Sequence, residues 1–130
     1  MKTIIVVGGS KGIGNALVQL LVESHKVINI SRTIPEFTHN NLKHISCNVI
    51  SEDLPDIDKA DGLVYCPGSI NLKPITRLSI DDFKNDFEIN VLGAVKVIQK
   101  YLGVLKQGEN SSIVLFSTVA SKLGMPFHAS

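Results

Sequence analysis

Apolar residues along this chain come in two alternating arrangements: short unbroken runs, and longer stretches in which they recur every three or four positions. The first run lies within Lys2 to Val7 and is rich in β-branched residues, the pattern of a parallel strand buried on both faces. Similar runs predict strands over Val27 to Ser31, Leu42 to Cys47, Gly62 to Cys66 and Ser112 to Ser117. Gly12 to Glu23 reads as a helix with Ile13, Ala16, Leu17, Leu20 and Leu21 on its apolar side. A longer helix begins after Ser79, where Ser79 and Asp82 form a capping-box pattern with the shorter acid in place of Glu. Phe83, Phe87, Val91, Val95, Ile98 and Leu102 then follow at intervals of three or four, predicting its buried stripe. Arg32 to Asn41 is polar, contains Pro35 and reads as loop. Strands alternating with helices predict an α/β fold, a doubly wound parallel sheet with helices on both faces.

Length and composition leave that picture standing and narrow the partners. The 130 residues amount to one domain, with 44% hydrophobic and 19% charged residues, as a packed core requires and disorder does not. A net charge of +1, with both signs mixed along the chain, gives no reason to expect nucleic acid or an anionic membrane as partner. The most apolar helical stretch, Val91 to Leu105, is interrupted by Lys96, Gln99 and Lys100, too soon to span a bilayer. Met1-Lys2-Thr3 before four apolar residues imitates a secretion signal, but the apolar block is too short and glycines follow it, so a cytoplasmic protein is expected. Cys47 and Cys66 sit in strand-like sequence and are expected to be buried, reduced thiols. His25, His39, His44 and His128 have no ligand spacing with them, and no metal is assigned.

The chemistry concentrates in Gly8-Gly9-Ser10-Lys11-Gly12-Ile13-Gly14, between the first strand and the first helix. Strand, glycine turn and helix together make a nucleotide phosphate site: the chain turns sharply, a pyrophosphate comes close, and the first helical amides point at it. A Walker loop would need Gly-Lys followed by Ser or Thr, whereas Lys11 precedes Gly12. The spacing Gly-x-x-x-Gly-x-Gly after a buried strand resembles the short-chain dehydrogenase/reductase family. That resemblance implies a Rossmann-like sheet, with the five strands here in the order 3-2-1-4-5.

At the end of the second strand, such a sheet reads the adenosine ribose with an acid for a free hydroxyl or an Arg for a phosphate. This chain has Ser31-Arg32 and no acid there, with Lys11 on the neighbouring loop, which favours NADP(H) over NAD(H). After the third strand, Asn48-Val49 stands where the family has Asp-Val near the adenine. After the fourth, Tyr65-Cys66-Pro67-Gly68 stands where the family has Asn-Asn-Ala-Gly, leaving Gly68 to admit the cofactor ribose. Asn90-Val91-Leu92-Gly93 matches the family's Asn-x-x-Gly, whose asparagine holds a helix distortion and a water of the proton relay. Gly93 is costly in a helix by about 1 kcal/mol relative to Ala, which close packing across a subunit interface would explain. By spacing, Thr118 takes the place of the family's catalytic serine at the end of the fifth strand. The resemblance therefore implies Thr118 and Asn90 as catalytic residues. It implies Gly8, Ser10, Lys11, Gly12, Ile13, Gly14, Ser31, Arg32, Asn48, Val49, Gly68 and Asn90 as cofactor-binding residues.

The family's acid/base is a tyrosine followed four residues later by a lysine. Tyr65 is followed by Ser69 and Tyr101 by Leu105, and the family spacing from Thr118 points to position 131, one beyond Ser130. The expectation is a C-terminally incomplete NADP(H)-binding domain over 1–130, with the fifth strand left at a sheet edge. The parent protein is expected to be an oxidoreductase acting on a small-molecule carbonyl or alcohol, homo-oligomeric through the long helix around Gly93, and the chain alone inactive. The competing expectation is a non-catalytic NADP(H)-binding or redox-sensing module.

Overall fold

Ile4, Ile5, Val6 and Val7 are consecutive β-branched residues, and the strand they form is the middle of the sheet. In the computed structural model, which describes residues 1–130, β1 (Thr3–Val7) is followed by α1 (Gly12–Leu21), β2 (Lys26–Ser31), β3 (Leu42–Ser46) and β4 (Gly62–Tyr65). α2 (Ile80–Phe87), a π-helical segment (Glu88–Leu92), α3 (Gly93–Leu105) and β5 (Ser112–Leu115) complete it. The strands are all parallel, in the order β3-β2-β1-β4-β5. No helix is long and apolar enough to cross a membrane.

Alternate residues of each strand face opposite sides, and each side has its own core. Val6, Val27 and Val64 pack with Val18 of α1 and Val22 just beyond its end. Ile5, Val7, Ile30, Leu63 and Tyr65 pack on the other side with Ala94, Val97, Tyr101 and Leu105 of α3. Each aliphatic side chain fully buried in this way contributes about 1.5–3 kcal/mol. β5 lies at the sheet edge and every one of its residues is exposed.

The strands and the first helix stand where the hydrophobic pattern puts them, with ends shifted by one or two residues, and the predicted long helix is divided by the π segment. The helix faces differ. α1 meets the sheet through Gly14, Val18 and the capping Val22, with the predicted Leu17 and Leu21 half-buried against the same core. Ile13 (68% exposed) and Leu20 (73%) face outward, and Ala16 is exposed. The reason is steric: a Cβ on Gly14 would run into the carbonyl of Gly8, so the helix comes closest at Gly14 and rotates around that point. α3 repeats the arrangement. A Cβ on Gly93 would overlap the Tyr65 hydroxyl, and Gly93, Ala94, Val97, Tyr101 and Leu105 form the inward face. Of the predicted stripe, Phe87, Val91, Val95 and Leu102 are exposed, while Phe83 is half-buried and Ile98 packs against the core, and the helix is broken by the π segment. Gly93 therefore answers Tyr65 and Ile50 of its own chain, not a subunit neighbour. Of the two thiols, Cys47 is buried and Cys66 only half-buried.

Candidate functional site

The carboxyl ends of β1, β2, β3 and β4 open into one cleft of about 740 Å³. Gly8, Ser10 and Lys11 line it from the first loop, Ser31, Arg32 and Thr33 from the end of β2, and Asn48, Val49 and Ile50 from beyond β3. Pro67, Gly68 and Ser69 close it from β4, and Asn85, Glu88 and Ile89 reach it from the helix above.

The glycine loop is shaped by real constraints. Gly8 has φ +79°, its N–H donates to the Ile30 carbonyl at 2.9 Å, and a Cβ there would come within 3.1 Å of the Pro67 ring. Gly12 has φ +55° at the helix start, with open space around it. The first turn of α1 carries no acidic residue, so its free N–H groups and positive dipole end are available to an anion. The two ion pairs of the chain are Lys73–Asp82 and Lys100–Asp56, which leaves Lys11 and Arg32, both exposed, uncommitted on the two sides of the cleft. A tight glycine turn, free amides and two unpaired cations suit an anionic ligand such as the phosphates of a dinucleotide.

Eight of the predicted residues line this cleft together: Gly8, Ser10, Lys11, Ser31, Arg32, Asn48, Val49 and Gly68. Gly12, Ile13 and Gly14 lie in the adjoining first turn of α1, outside the lining. Asn48 is partly used by its own loop, its Oδ1 accepting from Ile50 N–H at 3.1 Å while its N–H donates to Glu52 at 2.6 Å. Asn90 in the π segment clamps the backbone of Ser69, accepting from its N–H at 2.9 Å and donating to its carbonyl at 2.7 Å. Thr118 is exposed, and its Oγ1 accepts from Ala120 N–H at 3.2 Å, capping a short 3₁₀ turn (Val119–Ser121). Neither Asn90 nor Thr118 is part of the lining.

Both tyrosines are structural. Tyr65 donates its hydroxyl to the Ile89 carbonyl at 2.5 Å, and burial pushes its pKa up to about 12. Tyr101 donates to the Pro55 carbonyl at 2.8 Å, and its pKa is raised too, chiefly by burial. Neither has the low pKa or the free hydroxyl that proton transfer near neutrality needs.

Two polar residues absent from the sequence reading hold the cleft's walls. Asn29, fully buried in β2, accepts from Gly9 N–H at 2.9 Å and donates to Ser31 Oγ at 3.0 Å, with His44 Nδ1 at 3.2 Å. Asp86, 3% exposed, accepts from Ser69 Oγ at 2.6 Å and from the backbone and side-chain nitrogens of Asn71 at 3.1 Å. Burial alone would raise the Asp86 pKa, but hydrogen bonds from Ser130, Ser69 and Asn71 outweigh it and hold the carboxyl below its ordinary value. The available signal was a polar residue inside an apolar run, Val27-Ile28-Asn29-Ile30, and an acid on the inner side of a helix.

The family described as short chain dehydrogenase matches residues 48–130. The chain is similar to 2,5-dichloro-2,5-cyclohexadiene-1,4-diol dehydrogenase from Sphingobium indicum, with 28% identity over 98% of this chain and 58% of that protein. It therefore spans somewhat over half the length of that curated relative. A short chain dehydrogenase family protein from Francisella tularensis superposes with a TM-score of 0.84 at 27% identity, covering 99% of this chain and 56% of the other. A short chain dehydrogenase from Leptospira borgpetersenii, solved with bound NAD+, shares the fold with a TM-score of 0.81 at 19% identity, over 95% of this chain and 54% of its own.

Proposed function

This chain belongs to the short chain dehydrogenase family, and from that premise we propose that it is the dinucleotide-binding part of an oxidoreductase that uses NADP(H) on a small-molecule carbonyl or alcohol. The observation that carries the cofactor choice is the pairing of Lys11 and Arg32, two uncommitted cations on the two loops beside the adenosine ribose position. When bound, the nicotinamide supplies or accepts the hydride.

The chain's own residues hold and orient. The first-turn amides of α1 after Gly8, Gly12 and Gly14 receive the pyrophosphate, with Ser10 and Ile13 at the same turn. Arg32 offers its planar fork to the 2′-phosphate, Lys11 adds a second charge, and the neutral Ser31 beside Arg32 does not repel it. Asn48 and Val49 border the adenine, and Gly68 leaves room for the ribose on the other side of β1. Asn90 fixes the loop that carries Gly68 by its two bonds to Ser69. Thr118 keeps the hydroxyl with which a substrate carbonyl is held, and its present bond to Ala120 is exposed and easily exchanged. The proposal includes a cytoplasmic location. It also includes self-association through the exposed stripe of Phe87, Val91, Val95 and Leu102, for which sedimentation velocity should show a dimer or larger.

The direct test is titration with NADPH and NADH, followed by fluorescence or calorimetry. Wild type should prefer NADPH, and Arg32→Ala should weaken NADPH about tenfold to a hundredfold while leaving NADH nearly unchanged, since a charged hydrogen bond contributes roughly 1.5–3 kcal/mol when intact. Equal affinity of wild type for both cofactors would refute the choice of NADP(H).

A further inference from the structure

Building on this NADP(H) reading, we propose that Asn29 is a positioning residue for cofactor selectivity: it ties the glycine loop to the end of β2 and so holds Lys11 and Arg32 at fixed places around one anion. Asn29 has no exposed surface. Its amide is nonetheless fully engaged, and the bonds it begins form a closed circuit. Gly9 N–H donates to Asn29 Oδ1, and Asn29 Nδ2 donates to Ser31 Oγ. Ser31 Oγ donates to the Thr33 carbonyl at 2.8 Å, and Thr33 Oγ1 donates to Ser10 Oγ at 2.9 Å. Ser10 is bonded to Gly9, and the ring closes.

Each cation sits directly beside members of this ring. Lys11 follows Ser10, and Arg32 lies between Ser31 and Thr33. The side chains of Lys11 and Arg32 have no partner of their own, so the backbone beneath them sets the distance between the points from which they reach. Pre-organised charges bind an anion better because the ordering is already done in the free protein. The fit at Asn29 is also close: a Cβ on Gly9 would lie 2.6 Å from Asn29 Oδ1 and 2.7 Å from Val18 Cγ2. Nothing larger than glycine passes there, and the amide of residue 9 has only Asn29 to meet. A neutral amide is suited to the task, because a buried carboxylate would repel the phosphate and an aliphatic residue would leave Gly9 N–H without an acceptor.

The test compares wild type, Asn29→Val and Thr33→Val for NADPH and NADH affinity, and for hydrogen exchange at the Gly9 and Ser10 amides. Asn29→Val should weaken NADPH about tenfold and NADH less than about threefold, and exchange at Gly9 should quicken about tenfold or more. Thr33→Val opens the ring at its exposed link without leaving a cavity. It should narrow the same preference by a smaller factor, and it serves if Asn29→Val does not fold. An equal loss for both cofactors would make Asn29 merely structural and overturn its role in selectivity. Unchanged exchange and unchanged affinities, with wild type still preferring NADPH, would overturn it as well. Failure of wild type to prefer NADPH would instead remove the reading on which the proposal rests, and the selectivity role with it.

Discussion

Two loops face each other across the cleft, and they are held by different chemistry. The glycine loop after β1 is anchored from beneath by Asn29, a neutral amide with no exposed surface. The loop after β4 is anchored from above by Asp86 and Asn90, one helical turn apart, which grip Ser69 and Asn71. The first loop needs backbone freedom and close approach, and its glycines provide both. The second carries Pro67, which has no N–H to donate, and its order comes from side chains of the helix. One wall of the cleft therefore rests on a neutral amide, while the other depends on a carboxylate staying ionised.

The contrast can be broken most severely at Gly14. Gly14→Ala puts a methyl group against the Gly8 carbonyl, backbone against backbone, and should destabilise the chain by about 3 kcal/mol or more as read by urea denaturation. Dinucleotide binding should be lost with it, whereas the Ser69–Asn71 loop keeps its own anchors. A smaller effect is expected at the other wall. Asp86→Asn turns one acceptor toward Asn71 into a donor and should cost about 1–3 kcal/mol, with faster exchange at Ser69 and Asn71 but not at Gly9. Its pH dependence sharpens the comparison further. The folded-state pKa of Asp86 lies below the ordinary 3.8, so its contribution is fully present above that value and is lost as pH falls through the folded value. Exchange at Asn71 should therefore rise in acid below about pH 4 in wild type and show no such step in Asp86→Asn. A wild-type step at Gly9 of equal size would erase the distinction between the loops.

The site was legible where its requirements are local. The glycine spacing, Lys11 beside it and Arg32 at the end of a strand are each set by a few neighbouring residues, and the parallel strand order brings their loops together. Asn48, Val49 and Gly68 came from the resemblance to the family, and the same strand order brings them to the cleft. Asn29 and Asp86 were missed because their value lies in partners far along the chain, 20 positions away at Gly9 and 17 at Ser69. Tyr65 was visible as a departure at the end of β4, but not as the group that lies against Gly93 and bonds the π segment at Ile89.

By itself, then, the order of residues determined the strands, the helices, the parallel sheet and the place of the phosphate turn, because periodicity and glycine sterics act over a few residues. Only the tertiary structure decided which face of each helix is buried. Hydrophobic spacing marked Ile13, Leu20, Phe87 and Val91, yet the helices turn instead on Gly14 and Gly93, whose missing side chains let the helix backbone come close at Gly8 and Tyr65. A glycine carries no hydrophobic signal, so the residue that sets a helix's rotation by closest approach is invisible until its neighbour across the gap is known.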